Sequence, residues 1–260
     1  MSLQLSSMEQ LFFLERDPGK SVTFCFSVEL YEEVNPARLK EAAEIAEKAG
    51  ALVINIGTLS ERTIDAMFAA GKSANAAGVP VVLDPVGAGA SKLRSEISQR
   101  LLKKIKFSVI RGNASEITAL CCGKTCGKGV DSEKQEEESV LAAAKELSKR
   151  TGAGVAVSGE TDIIAERDEV KRIKNGHAMM ERITGSGCML SALIGAFVGA
   201  NPKKAFLATA AAFCVLGIAG EQAYEKIMEK CEGTGSFRTY MIDAVSLMDG
   251  EVLKRRMRVE

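Results

Sequence analysis

The chain has 260 residues, with 34 Lys plus Arg against 34 Asp plus Glu, a formal net charge of zero and 46% hydrophobic residues. A chain this long and apolar can bury a substantial core, and its composition excludes disordered and collagen-like classes. The balanced charge, with a sequence pI near 6.7, offers no basic field of the kind that phosphate neutralisation on nucleic acid requires.

Taken in chain order, the run Leu11 to Leu14 is cut short by Glu15, Arg16 and Asp17 and is too brief for a membrane span or a signal-peptide core. Ser21 to Val28 reads as a strand. Asn35-Pro36 pairs a capping side chain with proline at the first helical position, and Leu39, Ala42, Ala43, Ala46 and Ala49 then recur on one face up to Gly50. The short branched run Ala51 to Ile56 follows as a buried strand.

The same switch of period then repeats: helix about 60–77 closed by Gly78, strand 80–83, helix about 91–104, strand 107–110, helix 113–120, helix about 136–150 and strand 155–157. Continuous apolar strands alternating with helices predict an α/β fold with a parallel sheet covered on both faces. Residues 163–174 are more polar and predict one or two edge strands. The remainder reads as mainly helical, at about 187–198, 202–230 and 236–253, with the Ala-rich stretch Lys204 to Gly220 as a buried helix. No linker or composition break divides residues 1–260, so one domain is expected.

Seven cysteines, an odd number with no export signal, are expected to be reduced thiols of a cytosolic protein. The cluster Cys121, Cys122, Cys126 lacks a fourth ligand at finger-like spacing. His177, the sole histidine, excludes a two-His metal helix, and no Gly-x-Ser-x-Gly elbow is present to serve it as a triad base. Gly71-Lys72-Ser73 and Gly123-Lys124-Thr125 lack the leading glycine of a P-loop. Gly185-x-Gly187 lacks the third small residue of a dinucleotide fingerprint.

Ligands of open parallel sheets sit beyond the carboxyl ends of the strands. There the sequence places Asn55-Ile-Gly57-Thr58, Asp84 to Ala90, Arg111 to Glu116 and Ser158 to Asp162. Thr184-Gly-Ser-Gly-Cys188 precedes an apolar helix, so glycine-freed amides at a helix N-terminus could receive an anion, and Cys188 in the first turn is expected to have a lowered thiol pKa. A glycine-rich turn with a buried cysteine is the alternative. Asp84 and Glu116 put two carboxylates on one rim, where acids can hold Mg²⁺. Read singly, Asp84 also fits a turn before Pro85, and Glu116 a position on the helix that Asn113 begins.

In combination the pieces are more specific. Asn55-Ile-Gly-Thr-Leu59, Asp84-Pro-Val-Gly-Ala-Gly-Ala90, Arg111-Gly-Asn-Ala-Ser-Glu116, Gly129-Val-Asp131, Asn175-Gly-His177, Thr184-Gly-Ser-Gly-Cys188 and Gly233-Thr-Gly-Ser-Phe237 occur in this order. Together they resemble the hydroxyethylthiazole kinases, thiamin-pathway members of the ribokinase-like superfamily. The resemblance runs from about Ala51 to the end.

It implies a ribokinase-like α/β fold and ATP- and Mg²⁺-dependent phosphorylation of the primary hydroxyl of 4-methyl-5-(2-hydroxyethyl)thiazole. It also implies a cytoplasmic homotrimer whose active sites lie between neighbouring subunits. Arg111 and Ser158, with Asn113, match the ATP contacts, Gly185 with Thr184 the substrate contacts, and Asp84 and Glu116 the acids near Mg²⁺. Cys188 matches the residue at the position of the usual catalytic Asp, with Gly185 and Gly187 in the loop around the transferring phosphoryl. Residues 1–50 contain neither the His-x-x-Thr-Asn-like nor the Gly-Ala-Ser-Pro-x-Met segment of the family. A kinase of another small alcohol and a non-catalytic ligand-binding relative are the alternatives.

Overall fold

A computed structural model describes residues 22–25, 36–123 and 133–260. The cap Asn35, the Gly129-Val-Asp131 motif, Cys126 and the ends of the 21–28 strand lie outside these. Seven strands form one sheet in the order of the sequence: β1 (Val22–Cys25), β2 (Ala51–Asn55), β3 (Val81–Asp84), β4 (Val109–Asn113), β5 (Gly154–Ser158), β6 (Asp162–Glu166) and β7 (Glu169–Ile173). The first five are parallel, and β6 and β7 add an antiparallel hairpin at the edge. The expected mostly parallel α/β architecture is therefore observed.

Because the strands follow one another without a jump, every crossover packs on the same face. These crossovers are α1 (Pro36–Lys48), α2 (Glu61–Ala76), α3 (Lys92–Lys104), and the pair α4 (Ala114–Cys122) and α5 (Glu133–Thr151). Their apolar residues Ala46, Met67, Ile97, Ile117 and Leu147 join Leu52, Ile54, Leu83, Ile110 and Val155 of the strands in one core. A right-handed crossover to the next strand in line always returns on the same side, which accounts for the arrangement. Ser60 starts α2 with a capping box shared with Thr63, and Asn113 starts α4 with one shared with Glu116.

The opposite face is covered by α6 (Ser186–Ala200) and the 26-residue α7 (Ala205–Lys230), with α8 (Thr234–Ser246) and α9 (Gly250–Arg256) outside them. Alternation along each strand assigns Val53, Val82, Val109, Ala156 and Ile164 to this second core, with Phe213 and Phe237 as its largest fully buried members. Among the described residues, Pro202–Lys230 is long and apolar enough to cross a membrane by length and composition, and 78% of its most apolar window is buried in this core.

Three boundaries differ from the sequence reading. The helix expected over 236–253 is two, because Asp249 accepts a hydrogen bond from the Val252 amide and begins α9 afresh. The strand expected at 107–110 is displaced to Val109–Asn113: Arg111, Gly112 and Asn113 continue the ladder opposite Ala156, Val157 and Ser158. A polar Arg-Gly-Asn run carries no strand signal of its own, so pairing with β5 decides it. A 3₁₀ turn, Ala178–Arg182, precedes α6 and was not foreseen.

Candidate active site

The same alternation builds the site. Asn55 lies two residues beyond Val53, Asp84 two beyond Val82, Arg111 two beyond Val109, Ser158 two beyond Ala156, and Asp162 two before Ile164. All five polar side chains therefore rise from the sheet face that α6 and α7 cover, near the carboxyl ends of β2 to β5. Register completes the grouping, since Asn55 is directly opposite Asp84 and Asn113 opposite Ser158.

Asp84 is the centre of a buried polar network, with 1% of its surface exposed. Its Oδ2 accepts from Asn55 Nδ2 at 2.9 Å and from Ser191 Oγ at 2.7 Å. Its Oδ1 faces Arg111 Nη1 at 3.7 Å and has no hydrogen-bond partner, and Arg111 Nε is likewise buried without one. Burial pushes the Asp84 carboxyl up, and Glu116 adds to this, while Arg111, Ser191 and Asn55 pull it down. A buried carboxylate oxygen beside an unpartnered guanidinium N–H suits a ligand that brings both charge signs, such as a metal-bound phosphate.

Arg111 stands between two sides of the site, a cavity and the Asp84 network. Its Nη2 donates to Ser158 Oγ at 2.9 Å, and it packs so closely on Gly187 that a Cβ there would come within 2.9 Å of Nη1. On one side lies a cavity of about 830 Å³, within the range that holds small ligands and cofactors. Arg111, Asn113, Ser158, Ser186 and Gly187 form its polar mouth, while Leu190, Phe213, Leu216 and Met180 give it apolar walls. On the other side are Asp84, Asn55 and Cys188, which do not line that cavity.

Asp162 lines the cavity and accepts from the Gly159 amide at 3.0 Å. Burial drives its carboxyl up to about 7, against the pull of the Gly159 amide and Arg111. Its contribution to stability is complete below the ordinary value of 3.8 and is lost as pH rises through about 7.

Gly185 is the residue before α6 and has φ of +97°, a conformation that favours glycine. It has no side chain to cap the helix, so the first amides of α6 are left free beside the cavity mouth, as the anion-site reading requires. Thr184 is exposed, Gly185 is half-buried, and neither reaches the cavity wall.

Cys188 occupies the first turn of α6, but its thiol is raised, not lowered as expected from a helix start. Burial is the main cause and the Asp84 charge the next, outweighing the hydrogen bond from Asn55 Nδ2 at 3.6 Å and the charge of Arg111. Cys188 is therefore a neutral thiol at pH 7. Accordingly, Cys188→Ser should leave nucleotide affinity unchanged and alter kcat by less than about tenfold, since a neutral hydroxyl replaces a neutral thiol. Steady-state kinetics check this, and a loss of a thousandfold would restore a proton-accepting role.

Glu116 frames the site. One oxygen accepts from the Gly87 amide at 2.8 Å and the other from the Asn113 amide at 2.9 Å, tying the Asp84–Ala90 loop to the start of α4. Arg94, reaching up from α3, binds the carbonyls of Ile56, Val86 and Gly57, each at 2.7 Å, and so joins the loops after β2 and β3. Sequence reasoning missed Arg94, which reads as an ordinary surface arginine. It missed Ser191 too, although a hydroxyl three residues after Cys188 in an apolar helix was a usable signal.

Comparisons with known proteins show the family and the fold. A family model described as the hydroxyethylthiazole kinase family matches residues 34–251. The hydroxyethylthiazole kinase of Clostridium acetobutylicum is 45% identical over 226 residues, covering 85% of this chain and 82% of that protein. That of Ruminiclostridium cellulolyticum is 44% identical, covering 92% and 88%. Among solved structures, a hydroxyethylthiazole kinase protein from Pyrococcus horikoshii superposes with a TM-score of 0.81 at 29% identity, covering 100% of this chain and 99% of that one. An ADP complex of Bacillus subtilis pyridoxal kinase shares the fold at a TM-score of 0.56 and 18% identity, covering 84% and 85%.

Proposed function

Because the chain belongs to the hydroxyethylthiazole kinase family, we propose that the two sides of its site divide the reaction, nucleotide in the 830 Å³ cavity and thiazole alcohol on the Cys188 side, with Arg111 between them. The protein is a kinase that phosphorylates hydroxyethylthiazole in thiamin biosynthesis, with ATP as co-substrate. The single observation that carries the division is the position of Arg111, which touches Ser158 and Gly187 at the cavity mouth and faces Asp84 behind it.

Phosphoryl transfer needs in-line placement and stabilisation of charge on the transferring group more than it needs a strong base. The amides at the start of α6, which no side chain caps, would stabilise the equatorial oxygens, and the Arg111 guanidinium adds a positive charge in a buried setting. Apolar walls at Leu190, Phe213 and Leu216 receive the base of the nucleotide, while Ser158 and Asn113 face its phosphates.

Asp84 would hold a cation through its unpartnered Oδ1, with the Glu116 carboxylate, both of whose oxygens accept amides, adding negative charge nearby. Mg²⁺ bound there would supply the charge that shields the phosphates from the carboxylate. Asn55 fixes Asp84 and Cys188 relative to one another, and its own Oδ1 is held by the Gly57 amide at 2.7 Å. Cys188 contributes shape and a weakly polar contact for the acceptor hydroxyl, whose proton passes to an oxygen of the arriving phosphoryl group as ADP leaves. Thr184 and Gly185 border this acceptor side. A homotrimer with active sites between subunits, and a cytoplasmic location, belong to the same proposal.

The experiment is incubation with Mg²⁺, ATP and the thiazole alcohol, with mass detection of phosphothiazole and ADP. Product is expected in proportion to enzyme, with the nucleotide raising the melting temperature in the absence of acceptor. A nucleotide-dependent rise in melting temperature with no phosphothiazole would move the acceptor to another small alcohol, whereas ADP with inorganic phosphate would mean transfer to water.

A further inference from the structure

The turn Lys174-Asn175-Gly176-His177 lines the cavity together with Arg111, and its supports come from remote parts of the chain. We propose that Arg258 is a positioning residue for the nucleotide site, holding this wall through Glu221 and Asn175. The inference rests on the reading of the cavity as the nucleotide site.

Glu221 of α7 has a carboxylate oxygen that accepts three hydrogen bonds: from Asn175 Nδ2 at 3.1 Å, from the Gly176 amide at 2.9 Å and from Arg258 Nη2 at 2.6 Å. Its side chain is only 13% exposed, and a positive charge beside it strengthens the three hydrogen bonds through which it orients the turn. Arg258 supplies that charge. It also donates from Nε and Nη2 to the Lys174 carbonyl at 3.1 and 2.6 Å, and its backbone amide binds Asn175 Oδ1 at 2.7 Å.

The chain around Arg258 is itself anchored. Lys174 N donates to Arg258 O at 3.0 Å, Arg172 and Glu260 exchange two bonds at 2.9 Å, and Ile173 bridges Val259 in antiparallel fashion. Asn175 Nδ2 donates to the Arg256 carbonyl at 2.9 Å. The segment 257–260 thus pairs with β7 through an isolated antiparallel bridge and fastens the turn.

The turn also presses on α7, where Gly217 has no room for a Cβ, which would come within 2.7 Å of the Asn175 backbone. Gly176, at φ of +134°, gives the turn a conformation that other residues rarely adopt. His177 stacks on Tyr224 with ring centroids 3.6 Å apart. Removing the Arg258 side chain takes away the cation beside Glu221 and both bonds to the Lys174 carbonyl, leaving the turn to its backbone bonds and packing, so the wall is less firmly set. A nucleotide must then order it on binding, which weakens affinity without touching the reacting groups.

The test uses the full chain carrying Arg258→Ala or Arg258→Lys, with Arg111→Ala as a reference, and measures kcat and the KM for ATP and for the thiazole alcohol separately. Arg258→Ala should raise the ATP KM roughly tenfold with kcat and acceptor KM within about twofold. Arg258→Lys should fall between, since it keeps the charge for Glu221 and loses the paired bonds to the Lys174 carbonyl. An unchanged ATP KM in Arg258→Ala, alongside a raised one in Arg111→Ala, overturns the positioning role alone. An unchanged ATP KM in both variants overturns the reading of the cavity, and the proposal with it. Equal damage to both KM values and kcat, unrelieved by lysine, reduces Arg258 to general support of the fold and overturns it as well.

Discussion

Asp84→Asn will lower kcat by roughly a hundred- to a thousandfold and leave the protein as stable at neutral pH as the parent, or slightly more so. The amide keeps the shape of the carboxyl, and its oxygen can still accept from Asn55 and Ser191, as Oδ2 does now at 2.9 and 2.7 Å. What is lost is the charge at Oδ1, which has no hydrogen-bond partner and faces Arg111 at 3.7 Å.

The stability half follows from the sign of the shift. The folded carboxyl is raised above its ordinary 3.8, mainly by burial. Its contribution to folding is therefore complete below 3.8 and is lost as pH rises, a loss that the amide, which does not titrate, avoids. ADP release and a thermal melt on one preparation check both halves. Activity within tenfold of the parent would show that Asp84 is not the residue that meets the charged reactants. A sharp drop in melting temperature would make it a structural anchor instead.

The second large effect is expected of Arg111→Ala. Nucleotide affinity should fall by roughly ten- to a hundredfold, because a buried charge-assisted contact to phosphate is removed. The variant also carries a pH signature that simple loss of a contact would not produce. Arg111 lowers the Asp84 carboxyl and the Asp162 carboxyl, so removing it lets burial raise both further.

If Asp84 must be ionised to act, the acid limb of kcat/KM moves to higher pH in Arg111→Ala. A pH profile from about 5 to 9, flanking the value near 7 at Asp162, measures the displacement. An acid limb at the parent's position, with nucleotide affinity intact, would remove Arg111 from the site altogether.

How much of this was visible in the sequence depends on the kind of signal each residue gives. The sheet was legible because runs such as Ala51–Asn55 and Val81–Asp84 are buried on both faces and so are continuously apolar. Counting by twos from Val53, Val82, Val109 and Ala156 would even have put Asn55, Asp84, Arg111 and Ser158 on one face before any coordinates existed. Arg111 itself was assigned to a loop, because membership of β4 depends on the partner strand and not on its own side chain.

Arg94 and Glu116 were illegible in their actual parts. Each works by binding backbone groups of distant loops, and backbone groups leave no trace in a residue pattern. Cys188 failed for a different reason. A helix N-terminus does favour a thiolate, but the sequence could not reveal that burial and an acidic neighbour would act against it there.

The one-sided winding of the sheet also sets an order of events at the ribosome. Strands β1 to β5 emerge together with the helices that cover one face, whereas the face bearing Val53, Val82, Val109 and Ala156 is covered by α6 and α7, which begin at Ser186 and Ala205. At roughly 5–20 residues per second, a nascent chain extends for several seconds with that oily surface bare. The small side chains on it, three valines and an alanine, present less greasy area to passing chains than leucines would. The residues proposed for the chemistry lie on the same late-covered face, so on that proposal the catalytic centre is assembled only when synthesis is nearly complete.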